Sequence, residues 1–98
     1  MRLDIHTLIP RFAAQRLRDP KRLQHLIRSI ERNGQLTPVI VVPNEKADLH
    51  WVLIDGYRRL EALRQVGEDL IWVDGWDRGV DEALLLCLAR GPEPMALT

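Results

Sequence analysis

The sequence predicts an α+β (α/β) domain, a mixed β-sheet with helices packed on it in the order βαββαβα. Three observations predict it. Short apolar runs at 39–42, 51–54 and 70–73 are rich in β-branched and aromatic residues and read as strands. Apolar residues elsewhere recur at helical spacing. Glycine, proline, asparagine or aspartate stands wherever one pattern gives way to the next. A chain of 98 residues is long enough for one such domain and too short for two. The domain is expected to occupy residues 1–91, with 92–98 as a tail after Arg90-Gly91 that carries Pro92 and Pro94.

Each element has its own signal. Residues 2–9 alternate well enough for a first strand, closed by Pro10, and residues 11–18 are basic and irregular. Asp19 is a good N-cap with Pro20 at the first helical position. Leu23, Leu26, Ile27 and Ile30 then form one apolar stripe, and Asn33-Gly34 supplies a left-handed stop. Pro38 forbids helix at Thr37, and Val39-Ile40-Val41-Val42 reads as a strand buried on both faces. Residues 43–49 form a polar loop. Trp51-Val52-Leu53-Ile54 is the next strand, expected to pair with the previous one. Asp55-Gly56 breaks it and a helix begins at Tyr57, with Leu60, Leu63 and Val66 inward beside Ala62 and Gly67 as its end. Leu70-Ile71-Trp72-Val73 is a further strand, closed by Asp74-Gly75. The last helix starts at Gly79 or Asp81 and turns Ala83, Leu84, Cys87 and Leu88 inward.

Composition excludes several classes of function. Hydrophobic residues make up 46% and charged residues 29%, which suits a water-soluble core and not a disordered chain. Cys87 is the only cysteine, so an internal disulfide and a cysteine-based zinc site are ruled out. No apolar run is long enough for a signal peptide or a membrane span, so a cytoplasmic location without membrane contact is expected. His6, His25 and His50 show no metal-ligand spacing, and no metal site is expected.

The net charge of zero hides an asymmetry. Residues 1–32 hold eight Lys/Arg against three Asp/Glu, and residues 33–98 hold six against eleven. A basic front half is suited to an anionic partner, with Arg11, Arg16 and Arg18 as candidate DNA contacts. The plainer alternative is a solvated face whose charges are met by the acidic half.

The sharpest chemical signal is Leu53-Ile54-Asp55-Gly56-Tyr57-Arg58-Arg59-Leu60. A strand runs out, glycine turns the chain and a helix starts. The first turn of a helix offers unpaired N–H groups and a partial positive charge. Two arginines in that turn oppose the dipole, which makes sense if an anion docks there. The candidate nucleotide or phosphate site is therefore Asp55, Gly56, Tyr57, Arg58 and Arg59. Arg59 leans toward the packed side and is the better partner for bidentate phosphate bonding. Asp55 is also the candidate general base, should the domain be a small phosphotransferase or nucleotidase. The structural alternative has Asp55 capping the helix and pairing with Arg59, and Arg58 pairing with Glu61. Asp74, Asp77 and Asp81 read as loop solvation plus a cap, and Trp51, Trp72 and Trp76 as core or sheet-edge aromatics, with Trp76 the candidate among them for base stacking or a dimer contact as the alternative.

Residues 20–75 resemble the ParB N-terminal domain. The likeness runs through Leu26-Ile27-Arg28-Ser29-Ile30, Asn33-Gly34-Gln35-Leu36-Thr37-Pro38-Val39-Ile40-Val41 and Val52 to Leu63, then Gly67 and a last apolar strand. Asp81 to Leu86 resembles the start of the helix that follows in that family. The resemblance implies the ParB/sulfiredoxin-like fold. It implies that Gly56 to Arg59 line a nucleoside triphosphate site, for CTP or ATP with Mg²⁺, with weak hydrolysis at most. It implies a homodimer that engages DNA in chromosome or plasmid partition or in transcription regulation, with a helix-turn-helix domain next in longer relatives. The sequence also departs from the family. Tyr57 replaces the usual glutamate after the glycine, and Arg90-Gly91-Pro92 stands where a Glu-Asn-x-x-Arg box belongs. The sulfiredoxin cysteine falls at Tyr57, which argues against reductase chemistry.

Overall fold

The computed structural model describes residues 1–12, 20–44 and 50–90. Five strands and three helices follow one another: β1 (Arg2–Asp4), β2 (Leu8–Ile9), α1 (Pro20–Asn33), β3 (Val39–Pro43), β4 (Trp51–Asp55), α2 (Tyr57–Gln65), β5 (Leu70–Gly75) and α3 (Val80–Arg90). The strands form one mixed sheet in the order β1-β5-β3-β4-β2. β3 runs antiparallel to β4 and parallel to β5, so the expected pairing of the two central strands is present. The ladder slips between Ile40 and Val41, just where β3 faces the end of β4.

The four-residue run at 39–42 is buried throughout, as a central strand covered on both faces requires. Val39 and Val41 face α1 and α2, packed with Leu53, Leu60 and Leu63. Ile40 and Val42 face α3, packed with Val52, Ile54, Val80 and Ala83. On α1 the stripe of Leu23, Leu26, Ile27 and Ile30 faces the first of these cores. Gly34 takes φ +72° just past Asn33, the left-handed stop read from the sequence.

The expected first strand is two strands. β1 ends at Asp4, a 3₁₀ turn takes Ile5–Thr7, and β2 follows. Asp4 accepts a hydrogen bond from the His6 N–H at 2.8 Å, and the Thr7 hydroxyl donates to the Asp4 carbonyl at 2.7 Å. These local bonds compete with a sheet ladder and win here. Ile5 and Leu8, three apart, are both buried, a spacing that suits the turn and not a continuous strand. β1 pairs with β5 and β2 pairs with β4, so one short stretch closes both edges of the sheet. Four strand intervals measure about 19 Å along a sheet. Four residues reach at most about 14 Å. The sheet must therefore curl to bring its edges within reach.

The last helix also differs from expectation. It begins at Val80, and Val80 and Ala83 are buried with Leu84 and Cys87 half-buried. Leu88, expected inward, is 71% exposed. Val80, Ala83, Leu84 and Cys87 span the face in contact with the sheet, and Leu88 lies past its margin. Trp76 is half-buried against the same core, with its indole N–H donating to Asp74 at 3.1 Å. Trp72 is the exposed tryptophan, 46% open, with the Arg2 guanidinium 4.8 Å from its ring centre. Asp19, Arg16, Arg18 and the tail at 92–98 lie outside the described residues.

Candidate functional site

The end of β4 and the start of α2 are joined by Gly56 alone, which acts as the helix N-cap at φ +104°. Glycine adopts this left-handed conformation without the Cβ clash that other residues meet. A second constraint acts at the same place. A Cβ on Gly56 would collide with the Val39 side chain, and it would stand 3.2 Å from the Val39 Cα. The strand-to-helix turn is thus pressed directly against the central strand.

Without a side chain at the cap, no side-chain hydrogen bond closes the first turn of α2, and that turn carries no acidic residue. Asp55 does not take the capping role. It ends β4, opposite Ile40 and half-buried. Among the described residues the ion pairs are His6–Asp4 and Arg78–Glu82. The alternative pairs, Asp55–Arg59 and Arg58–Glu61, are not formed, and Glu61 instead accepts from Gln65 at 3.2 Å. The positive end of α2 is therefore not answered by Asp55 or Glu61.

The two arginines have different settings. Arg59 is 6% exposed and is the charged residue inside the core among the described residues. Arg58 is half-buried, and its Nε is enclosed with no hydrogen-bond partner among the described residues. A buried donor left unmatched costs about 1–3 kcal/mol.

Arg59 lines a cleft whose other walls come from the second half of α1 and from the loop leading into β3. Leu26, Ser29 and Ile30 form one wall, and Gly34, Gln35, Leu36 and Thr37 the other. Arg58 and Asp55 do not line it. The Gln35 side chain fixes the loop wall. Its amide accepts from the Trp72 N–H at 2.7 Å and donates to the Trp72 carbonyl at 2.9 Å. It thereby continues the β3–β5 ladder one step past Val39, as a strand residue would. The same amide also donates to the Thr37 carbonyl at 2.9 Å.

Tyr57 sits at the first position of α2, but its ring belongs to the core and is 5% exposed. Its phenol cannot reach an external ligand, and only its backbone faces the turn. Ser29, Gln35 and Thr37 were not singled out as site residues from the sequence. For Gln35 and Thr37 the available signal was their place in the short loop between Asn33 and Val39; Ser29, inside α1, carried none. Arg11 is exposed on the turn after β2. Among the described residues no group of three or more His, Cys, Asp or Glu is gathered for a metal, and no helix is long and apolar enough to cross a membrane.

A five-stranded mixed sheet with two helices on one face, one on the other and a glycine-led helix beside a cleft defines a ParB/sulfiredoxin-type α+β domain. Within that superfamily the chain belongs to the ParB N-terminal domain family, whose family model matches residues 1–74. Solved structures agree on the fold. The chain superposes with a TM-score of 0.81, at 19% identity, on C-terminally truncated chromosome-partitioning protein ParB from Caulobacter crescentus complexed with CTP-γ-S. That match covers 96% of this chain and 53% of the other, so the chain spans about half of that ParB. Sulfiredoxin from Arabidopsis thaliana matches with a TM-score of 0.71 at 23% identity, over 90% of this chain and 94% of that one. The Caulobacter crescentus ParB complexed to the centromeric parS site matches at 0.66 and 20% identity, over 86% and 42%. No curated protein matches the chain in sequence.

Proposed function

We propose that this domain is the nucleotide-responsive part of a ParB-like partition or regulatory protein, acting in the cytoplasm. It binds the phosphates of a nucleoside triphosphate at the β4–α2 junction and supports DNA binding by a dimer. One observation carries the reading. A helix start held open by Gly56, with no acidic side chain in its first turn, stands beside a buried Arg59 in a cleft. Arg58 adds a buried donor without an acceptor among the described residues. The glycine lets a phosphate approach the N–H groups of the first turn, Arg59 supplies charge from the cleft, and Arg58 donates from the helix side. Ser29, Gln35 and Thr37 are the polar groups placed to meet a base or sugar. The CTP-γ-S complex of the Caulobacter ParB makes CTP the first nucleotide to try. Magnesium would arrive with the phosphates, since Mg²⁺ relies on few protein carboxylates, and Asp55 is the nearest acidic side chain in sequence.

Calorimetric titration with CTP and with ATP, each with Mg²⁺, tests the reading on the wild type and on Arg59→Ala. Binding by the wild type and its loss in the variant are expected. Equal heats in both proteins remove the junction as the site.

A second reading is favoured by Asp55. Its half-buried carboxylate stands one residue before Gly56 and makes no ion pair with a described residue. A phosphotransferase or nucleotidase would use it as general base. An assay for nucleotide turnover separates the two readings. Binding without turnover favours the regulatory domain.

DNA contact through exposed Arg11 and the basic stretch that follows would be electrostatic. It should weaken steeply as salt rises, and salt-insensitive binding would exclude it.

A further inference from the structure

Tyr57 does more than fill the core. Its hydroxyl donates to the Leu53 carbonyl at 2.8 Å and accepts from the Phe12 N–H at 3.0 Å. Leu53 lies in β4, and Phe12 lies forty-five positions before Tyr57, on the turn after β2. The phenol is buried; its bond to Leu53 forms where water competes little, and its bond to Phe12 is partly shielded. Few side chains can replace it. Phenylalanine has no oxygen, and an ionised carboxylate has no proton to give the Leu53 carbonyl. Gly56 and Arg58 flank Tyr57 in the chain. At the far end of the link, Phe12 packs against both faces of the sheet, and Arg11 bonds through its N–H to the Ile9 carbonyl at 2.9 Å. The first turn of α2 and the Arg11–Phe12 turn therefore share one hydroxyl.

We propose that Tyr57 is a positioning residue that couples occupancy of the Gly56–Arg59 site to the placement of Arg11 and Phe12. The inference rests on the phosphate-binding reading above. An anion at the junction orders the first turn of α2, steadies the phenol and so holds the Phe12 N–H. Arg11, carried on the same turn, is then presented in one position. Coupling between two sites is reciprocal, so a polyanion held at Arg11 favours the ordered first turn in return.

Amide hydrogen exchange followed residue by residue tests this, with CTP and Mg²⁺ as the probe. In the wild type, saturating CTP slows exchange at Phe12. In Tyr57→Phe, CTP raised until the variant is saturated, as read by calorimetry, no longer changes exchange at Phe12. An equal response in both proteins overturns the coupling, as does a wild type that binds CTP with no change at Phe12. A ligand-free arm judges the link even if CTP does not bind, an outcome that removes the phosphate-binding reading alone. Without ligand, Tyr57→Phe speeds exchange roughly fivefold at Phe12, the factor for one neutral hydrogen bond. It also speeds exchange at Leu60, whose N–H makes the first helical bond to the Gly56 carbonyl. Unchanged exchange at Leu60 overturns the proposal. Should the variant not fold, the wild type in graded urea serves: Phe12 and Leu60 must open together, and separate openings overturn the link.

Discussion

Gly56 and Val39 lie so close that no methyl group fits between them: a Cβ added to the glycine would stand 2.8 Å from the Val39 Cβ. Val39 is itself fully buried in the central strand and has nowhere to go. Gly56→Ala combines this overlap with a left-handed φ. It should destabilise the domain by about 2–4 kcal/mol. A urea melt checks this, and a loss under about 0.5 kcal/mol would mean the turn can relax away from β3.

Arg58 and Arg59 should respond differently to truncation. Arg58→Ala removes a buried donor that lacks a partner among the described residues, so stability without ligand should fall by less than about 1 kcal/mol or rise. Nucleotide affinity should fall about tenfold or more. Arg58→Lys should not restore it, because an ammonium lacks the planar fork. Titration calorimetry beside thermal melts decides. A large stability loss with unaltered affinity would make Arg58 structural.

Gln35→Ala breaks both bonds to Trp72 and frees the loop wall of the cleft. A loss of about 1–2 kcal/mol is expected, with faster amide exchange at Trp72. Unchanged exchange there would show that the loop is held by other contacts.

Leu88 tests the corrected face of α3. Leu88→Gln should shift stability by no more than about 0.5 kcal/mol, because the side chain already faces water. Ala83→Gln, on the buried side, should abolish folding or nearly so. Similar effects from the two would contradict the orientation of this helix.

Asp4 gives a pH dependence with a definite sign. Bonds from the His6 N–H and then from the His6 ring hold its carboxyl below the ordinary carboxylate range. The unfolded chain therefore takes up this proton first as pH falls. The contribution is present in full above the ordinary range and fades as pH drops through the depressed value. Asp4→Ala should melt below the wild type at pH 7, and the gap should narrow in acid. A gap that stays constant down to pH 2 would assign the effect to something other than this carboxylate.

The fold was largely legible because its strong signals are local. The stripe on α1, the run at 39–42 and the stop at Gly34 each act within a few residues. The division of residues 2–9 was less visible. Alternation favoured one strand, while Asp4 and Thr7 carried the turn signal in side-chain bonds to nearby backbone. At the site, the sequence marked Gly56, Arg58 and Arg59 but could not separate cleft from helix flank, since Arg59 meets Ser29 and Gln35 only after α1 packs beside α2. Motif position alone places Tyr57 in a ligand site. Its neighbour forty-five positions away is a tertiary fact that no local pattern encodes.

The curled sheet has one more consequence. Its two outermost strands come from the same opening stretch of chain. Trimming those nine residues would bare both flanks together and leave two unsatisfied backbone rows ready to recruit strands from other molecules.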